Sequence, residues 1–312
     1  MHYDIQMADV TIEFALKSKR VSAVDQVNVT FKAGKITGVI GETGSGKSVL
    51  GMSILQLLPK QACISGTCFF GHKDLYALDA ESMRKIRGQE IGLIVQNPNE
   101  ALNPVRTIGR QLMEPLIKHF DVSRTEARKT VEAHLRCFGF EMPKKVMQQY
   151  TFQMSGGMNQ RLIAIMGLIC HPSWLIADEP TKGLDAILRR SIYDVFWEIR
   201  QHYTQSMIVI THDLFFAKKL CEQIVVMYQG EIVEIGEAKK VLTTPLHPYT
   251  KGLLMATPKA GMTPIPDHLN PSHESRCKFY SRCQFASAKC KVQFVELREI
   301  DPDTMVRCIL YD

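Results

Sequence analysis

A glycine-rich stretch near the start of the chain carries residue types that bind phosphate. It reads GETGSGKS and places Gly41, Gly46, Lys47 and Ser48 in the pattern G-x-x-x-x-G-K-[ST]. Glycines let backbone N–H groups turn inward around phosphate oxygens, because no side chain intrudes. The lysine can reach the β- and γ-phosphates of a nucleotide, and the serine hydroxyl can coordinate Mg²⁺. The stretch therefore predicts a nucleotide site, with an unrelated glycine-rich turn as the less favoured alternative.

Three later stretches end apolar runs in polar residues. WLIADEP ends with Asp178 and Glu179. MIVITHD places His212 after an apolar run, and IGLIVQNP places Gln96 in the same way. Two adjacent carboxylates at the carboxyl end of a buried strand suit a magnesium ion and an attacking water. Each of these residues alone has a plausible structural role, but together, downstream of one phosphate loop, they favour nucleotide hydrolysis.

The elements that must position these residues are strands and helices in alternation. The apolar run Ile36 to Ile40 predicts a buried strand before the glycine loop. After the loop, apolar residues recur at helical spacing from Leu50 to Leu58, which predicts a helix that ends at Pro59. Two further helical patterns, TIGRQLMEPLIKHF and SRTEARKTVEAHLRCFGF, precede MSGGMNQR, and Ser123 is a plausible N-cap of the second.

The composition is that of an ordinary globular protein. The 312 residues are 45% hydrophobic and 22% charged, with a net charge of +6 and a pI near 8.8. This mild basic balance does not select among nucleic acid, anionic lipid and phosphate ligands. The longest apolar run, LIAIMGLIC, is far shorter than the ~18 to 20 residues of a membrane helix. No signal peptide is recognised at the start, so we expect a cytosolic protein that can still dock on a membrane through a partner.

The stretch MSGGMNQR offers a second phosphate-binding end. Ser155, Gly156 and Gly157 precede an apolar helical pattern, which predicts an exposed helix N-terminus. With this stretch the sequence resembles the ATP-binding-cassette (ABC) ATPases over nearly its whole length. Two separated phosphate-binding ends in one chain suggest head-to-tail pairing, with ATP between the glycine loop of one subunit and the Ser-Gly-Gly signature of the other.

The resemblance implies a role for each matching residue. The glycine loop corresponds to the ATP-binding Walker A motif, with Gly41, Glu42, Thr43, Gly44, Ser45, Gly46, Lys47, Ser48 and Val49. The signature residues that contact the partner's ATP are Ser155, Gly156, Gly157 and Gln160. The catalytic residues are Glu179, His212 and Gln96, the Mg²⁺ residues are Ser48, Gln96 and Asp178, and the D-loop residue is Asp185.

The fold implied by this resemblance is α/β. It has a P-loop NTPase core with a mixed sheet and flanking helices, an inserted α-helical subdomain and a small C-terminal cysteine-containing extension. We expect residues 1–96 to form the first part of the ATPase core with the P-loop. Residues 97–160 would form the helical subdomain ending in the signature, residues 161–240 the second part of the core, and residues 241–312 the extension.

Three stretches resemble one branch of the family, the peptide and nickel importers: QNPNEALNP, YTFQMSGGMNQR and PLHPYTKGLLMATP. The resemblance implies the ATP-hydrolysing subunit of a membrane importer that takes up di- or oligopeptides, or nickel as a metal chelate. Its partners would be two membrane permeases, a second ABC ATPase subunit (self or paralogue) and an extracellular solute-binding protein, with no nucleic acid. It would then lie peripherally on the cytoplasmic face of the cell membrane. The alternative is a non-transport ABC ATPase of a soluble enzyme complex.

Four of the nine cysteines cluster near the end of the chain, namely Cys277, Cys283, Cys290 and Cys308. Their spacing is not the paired C-x-x-C pattern of common zinc ribbons. It resembles a four-cysteine extension of peptide-importer ATPases that can hold an iron–sulfur cluster, and four thiolates are the usual ligands of [4Fe–4S]. Zinc and unliganded thiols remain the alternatives.

Overall fold

The computed structural model describes residues 3–15, 20–97, 101–183, 186–257, 261, 263–267 and 275–312, with the backbone alone for residues 186–188. The strands are β1 (Ile5–Ala15), β2 (Arg20–Phe31), β3 (Ile36–Ile40), β4 (Ala62–Phe70), β5 (Lys73–Asp74), β6 (Ile91–Ile94), β7 (Trp174–Asp178), β8 (Ser206–Ile210), β9 (Gln223–Tyr228), β10 (Glu231–Glu237), β11 (Arg298–Asp301) and β12 (Thr304–Val306). The helices are α1 (Lys47–Ile54), α2 (Ala80–Ile86), α3 (Ile108–His119), α4 (Arg124–Cys137), α5 (Pro143–Val146), α6 (Gly156–Leu168), α7 (Ala186–His202), α8 (Leu214–Leu220), α9 (Ala238–Val241), α10 (Pro248–Met255) and α11 (Lys289–Val292).

The chain divides into two compact units. One contains the glycine loop and consists of Asp4–Tyr76 and Ile210–Asp312; it is called the P-loop unit below. The other consists of Met1–Tyr3 and Ala77–Val209 and is called the helical unit. The four-segment division expected from the sequence is finer than this one and stays a prediction.

The P-loop unit contains two groups of strands. An antiparallel sheet has the order β2-β1-β4-β5. A second group has the order β11-β12-β10-β9-β3, in which β3 and β9 are parallel and the other neighbours are antiparallel. Every residue of β3 is buried, which confirms the predicted strand at Ile36–Ile40. This buried strand delivers the glycine loop at its carboxyl end.

Helix α1 is shorter than the sequence predicted. It ends at Ile54, and Gln56 adopts a left-handed conformation with a φ of 48°. The chain turns there because the Leu57 N–H bonds the Met52 carbonyl at 3.0 Å, which leaves the Leu57 side chain 45% exposed. The prediction that the helix extends to Pro59 was therefore wrong.

The helical unit places helices beside the strand order β8-β7-β6. Strands β6 and β7 are parallel, with Ile94 opposite Ala177. Helix α4 begins at a capping box in which the Ser123 Oγ accepts the Glu126 N–H, and the Glu126 carboxylate accepts the Ser123 N–H. This confirms the predicted N-cap. Helices α3 and α4 pack against each other.

Within the described ranges, every helix is too short or too polar to cross a bilayer.

Candidate functional site

The glycine loop connects β3 to α1 in a strained, closely packed path. Gly41 has a φ of 153°, and a Cβ there would lie 2.2 Å from the Met227 carbonyl oxygen. Gly46 has a φ of 100° and is the N-cap residue of α1, and a Cβ there would lie 2.2 Å from the Ala23 carbonyl oxygen. Both positions therefore require glycine, for space as well as for backbone conformation. The loop is held in place by its fit against the neighbouring backbone.

The Lys47 side chain lies inside this loop. It is only 5% exposed, and its ammonium group donates to the Gly41 carbonyl at 2.9 Å and to the Glu42 carbonyl at 2.8 Å. It also donates to the Ser45 hydroxyl at 3.3 Å. A buried cation beside the N-terminus of α1 makes the loop positive, which is the electrostatic requirement of a phosphate site.

His212 belongs to the same unit and follows the end of β8. The preceding residue, Thr211, donates its N–H to the Val39 carbonyl of β3 at 3.0 Å. The following residue, Asp213, caps α8 by accepting the N–H groups of Phe215 and Phe216, each at 3.0 Å. The backbone next to His212 is thus held beside the carboxyl end of β3, the strand that delivers the glycine loop.

The carboxylates and Gln96 belong to the helical unit. Because β6 and β7 are parallel and in register at their ends, Gln96 and the pair Asp178 and Glu179 emerge at the same edge. Asp178 and Glu179 are 4% and 7% exposed, and Glu179 has a left-handed φ of 50°. A cavity of about 20 Å³ is lined by Gln96, Gln160 and other residues of this unit. The structure thus places Gln96 beside α6.

The signature opens α6 as expected. Ser155 is the N-cap residue, and its hydroxyl accepts the Met158 N–H at 3.3 Å. A Cβ at Gly156 would meet no atom within 4 Å, so this face of the helix end is open. Asn159 is buried and anchors the helix by donating to the Thr151 carbonyl at 3.1 Å. The D-loop residue Asp185 lies outside the described residues.

The predicted site residues are therefore distributed over both units. The P-loop unit holds the Walker A residues and His212. The helical unit holds Gln96, Asp178, Glu179 and the signature residues. Their roles toward a nucleotide stay predictions.

Two residues that contact the glycine loop were not predicted from the sequence. Tyr249, at the start of α10, accepts the Glu42 N–H with its hydroxyl at 2.8 Å. Arg282 donates from both terminal nitrogens to the Glu42 carboxylate, at 2.9 and 3.1 Å. The His-Pro-Tyr motif marked Tyr249 as part of a family segment but not as a loop contact. The arginine had no signal beyond its position next to Cys283.

An aromatic cluster supports these contacts. The ring centroids of Tyr228 and Tyr249 are 4.6 Å apart, and Phe279 lies 5.2 Å from Tyr228 and 5.5 Å from Tyr249. His247 is the N-cap residue of α10, and its Nδ1 accepts the Tyr249 N–H at 3.0 Å. Burial lowers the pKa of His247 to about 3, so this histidine is neutral near neutral pH. The cluster fixes the direction of the Tyr249 hydroxyl.

The four clustered cysteines line one cavity of about 40 Å³ in the P-loop unit. Burial raises the pKa of Cys277 to about 12 and also raises the pKa of Cys283 and of Cys308. The thiols lie near enough to one another to add to these shifts by charge repulsion. Within the described ranges, however, no three His, Cys, Asp or Glu side chains form a group that could hold a metal ion. The four thiols therefore share a cavity but are not gathered into a ligand set, and the raised pKa values favour the protonated thiols.

Known proteins resemble the chain in sequence over most of its length. The ABC transporter family profile matches residues 24–182, and the profile of the oligopeptide/dipeptide transporter C-terminal region matches residues 233–290. The dipeptide transport ATP-binding protein DppD of Bacillus subtilis is 39% identical, over 92% of this chain and 88% of that protein. The oligopeptide transport ATP-binding protein AppD of the same organism is 34% identical, over 99% and 97%. The oligopeptide transport ATP-binding protein OppD of Escherichia coli is also 34% identical, over 97% and 92%.

Solved structures resemble the fold. The dimeric structure of MJ0796, a bacterial ABC transporter cassette, superposes with a TM-score of 0.66 at 26% identity, covering 75% of this chain and 98% of that one. CbiO1 from Clostridium perfringens, part of the ABC transporter complex CbiONQ, superposes with a TM-score of 0.65 at 25% identity, covering 78% and 92%. These similarities confirm the predicted α/β ATPase fold.

Proposed function

The chain belongs to the ABC transporter family and is an ATPase subunit of an importer, and we propose that the solutes it helps to import are di- or oligopeptides. The observation that carries the proposal is the match at the C-terminal end. Residues 233–290 fit a profile described for oligopeptide and dipeptide transporters. Within this region, Tyr249 contacts the glycine loop. The segment that resembles peptide transporters is therefore built into the proposed nucleotide site.

The proposed site assigns a task to each predicted residue. Lys47 and the loop N–H groups hold the phosphates, which the buried ammonium group supports. Ser48, Gln96 and Asp178 would hold Mg²⁺, which neutralises phosphate charge when bound. Glu179 orients and polarises the attacking water, and His212 contacts the γ-phosphate.

The proposed assembly is a head-to-tail pair of ATPase subunits beneath two permeases. In this pair, the N-terminal end of α6, with Ser155, Gly156, Gly157 and Gln160, contacts the ATP held by the other subunit, and Asp185 belongs to the D-loop. The open space at Gly156 supports such a contact. The subunit would lie on the cytoplasmic face of the membrane, and an extracellular solute-binding protein would deliver the peptide.

The four cysteines carry a second proposal, an iron–sulfur cluster of the [4Fe–4S] type. The shared cavity supports it, and loading would require the thiols to move together, because the described side chains do not form a ligand group. Anaerobic purification followed by iron, acid-labile sulfide and zinc analysis tests it. About four iron and four sulfide per chain would support the cluster. Zinc alone, or no metal, would refute it.

The transport proposal is tested by anaerobic purification of the tagged full chain from native membranes, with mass spectrometry of chains and bound solutes. Two multi-span permeases and a second ATPase are the expected partners, and peptides the expected solute. Recovery of nickel without peptide would overturn the solute assignment. Recovery of soluble enzymes alone would favour the non-transport alternative. Loss of ATP binding in Lys47→Ala separately tests the nucleotide site.

A further inference from the structure

The glycine loop carries a negative charge at its second position, Glu42, beside the proposed polyphosphate site. We propose that Arg282 neutralises this charge and is a positioning residue for ATP binding. The inference rests on the proposed nucleotide site and is independent of the transported solute. It connects the cysteine segment, defined here as residues 275–312, to the ATPase.

The contact between the two side chains is bidentate. The Arg282 guanidinium donates to Glu42 Oε2 at 2.9 Å and to Glu42 Oε1 at 3.1 Å. The Arg282 side chain is only 17% exposed, whereas that of Glu42 is 37% exposed. A bidentate pair with one partner largely buried fixes the orientation of the Glu42 carboxylate and also neutralises its charge.

Other groups hold the guanidinium at this place. Its Nε donates to the Pro266 carbonyl at 3.2 Å, and its carbon lies 5.9 Å from the centre of the Tyr228 ring. The hydrogen bonds to Glu42 raise the pKa of Arg282 further above its ordinary value, so it stays a cation. These contacts therefore hold the Arg282 side chain in one position.

Glu42 is held at its backbone as well. Its N–H donates to the Tyr249 hydroxyl at 2.8 Å, and its carbonyl accepts from the Lys47 ammonium group at 2.8 Å. The contacts with Tyr249 and Lys47 fix the backbone of Glu42. Of the three residues, only Arg282 pairs with the Glu42 carboxylate and neutralises its charge. Without Arg282, a bare carboxylate would remain at the loop and repel the polyphosphate.

The cysteine segment determines where Arg282 lies. The arginine ends a single 3₁₀ turn, Tyr280–Arg282, and is followed directly by Cys283. Lys278, just before this turn, donates to Asp25 at 2.7 Å and to the Gln229 carbonyl at 3.0 Å. Through these anchors the segment contributes a residue to the nucleotide site from the far end of the chain.

The test measures the Kd of Mg·ATP with a fluorescent ATP analogue and by calorimetry, on the full chain. Arg282→Gln is expected to raise the Kd about fivefold, the size of a partly exposed charge pair. The double variant Glu42→Gln/Arg282→Gln is expected to bind ATP more tightly than Arg282→Gln, since the unpaired carboxylate is then removed as well. Glu42→Gln alone is expected to bind ATP more tightly, because it leaves the Arg282 cation unpaired beside the phosphates.

A matched control exists in the same segment. Asp303 pairs with Lys32 at 2.7 Å, and neither residue is part of the glycine loop. Asp303→Asn weakens an ion pair of the cysteine segment with the rest of the P-loop unit, and it should leave the Kd unchanged. A rise equal to that of Arg282→Gln would mean that general loosening of the segment explains both.

Two further outcomes would overturn the inference. The first is a wild-type Kd in Arg282→Gln. The second is a double variant that stays as weak as Arg282→Gln, because only charge neutralisation predicts the rescue. If Arg282→Gln does not fold, Glu42→Gln decides alone, and weaker binding there contradicts the proposal. Lys47→Ala distinguishes failure of the nucleotide site from failure of this inference. If the wild-type chain does not bind ATP, the nucleotide site and this inference are both wrong. If the Kd depends on Lys47 but not on Arg282, this inference alone is wrong.

Discussion

Tyr249 gives the sharpest test of how the C-terminal end supports the glycine loop. Its side chain is fully buried, and its hydroxyl accepts the Glu42 N–H at 2.8 Å. Tyr249→Phe removes that hydroxyl and keeps the ring between Tyr228 and Phe279. Tyr249→Ala removes both. Comparison of the two variants therefore separates the hydrogen bond from the packing.

The expected magnitudes follow from these contacts. A neutral hydrogen bond contributes about 1 kcal/mol net, and the half-buried Glu42 N–H can still find water, so we expect Tyr249→Phe to cost about 1 kcal/mol. Removing a fully buried aromatic ring costs about 3 to 5 kcal/mol, so Tyr249→Ala should be several times worse. Most of the stabilisation from this residue would then come from its ring.

The assay is urea denaturation of the full chain, followed by circular dichroism and tyrosine fluorescence. If two transitions appear, the one assigned to the P-loop unit should move, because Tyr249 and its contacts all lie there. Tyr311→Phe is the matched control, since it also removes one partly buried hydroxyl, which donates to the Leu246 carbonyl at 3.1 Å. This control does not touch the loop and should cost less than about 0.5 kcal/mol.

Two results would refute this reasoning. A loss of about 3 kcal/mol or more in Tyr249→Phe would mean that the hydroxyl, and not the ring, is the main support. A loss below the Tyr311→Phe control would mean that water replaces the tyrosine at no cost. In that case the contact with Glu42 would be geometric coincidence.

Three further changes test the rest of the site. Glu179→Gln should keep ATP binding and lower the turnover rate by about 10²-fold or more. A single-turnover rate equal to that of the wild type would show that Glu179 does not act on the attacking water. Gly41→Ala forces a Cβ to within 2.2 Å of the Met227 carbonyl, so the chain should lose several kcal/mol of stability and its ATP binding; a wild-type melting curve would contradict the loop geometry. The pKa of His247 is about 3 in the folded chain and 6.5 ordinarily. Between pH 3 and pH 6.5, His247 is therefore protonated in the unfolded chain but neutral in the folded chain. Unfolding free energy should therefore fall as pH drops through that window, by up to about 1.4 kcal/mol per unit, and His247→Asn, which keeps a cap acceptor for Tyr249, should flatten the pH profile. An unchanged slope in His247→Asn would show that other groups cause the acid loss.

Features with a local physical cause could be predicted from the sequence. The strand Ile36–Ile40 is uniformly apolar, and the structure buries all of it. The Ser123 cap follows from a serine and a glutamate three residues apart, which can satisfy each other's backbone N–H groups wherever the helix lies. The glycine loop has positive φ angles at Gly41 and Gly46, so its own backbone path already favours glycine there, and its pattern can be recognised from the sequence.

The end of α1 shows where local pattern stops being sufficient. Apolar spacing continued to Leu58, yet the chain leaves the helix after Ile54 through a left-handed Gln56. The Gln56 side chain donates to the Leu75 carbonyl, a residue far along the chain. The spacing of apolar residues cannot indicate a tertiary hydrogen bond of this kind, because its acceptor lies outside the helix.

The sequence by itself determined the phosphate-binding loop and the buried strands that precede the polar site residues. It also determined the family to which the chain is similar. These features depend on residues a few positions apart. Only the tertiary structure decided which residues hold the loop from outside. Glu42 is 207 positions from Tyr249 and 240 from Arg282. Such pairs form only after the whole unit has folded, when the entropy of closing so long a loop is offset by the burial of the aromatic cluster around them. That is why neither Tyr249 nor Arg282 could be predicted from the sequence as a contact of the glycine loop.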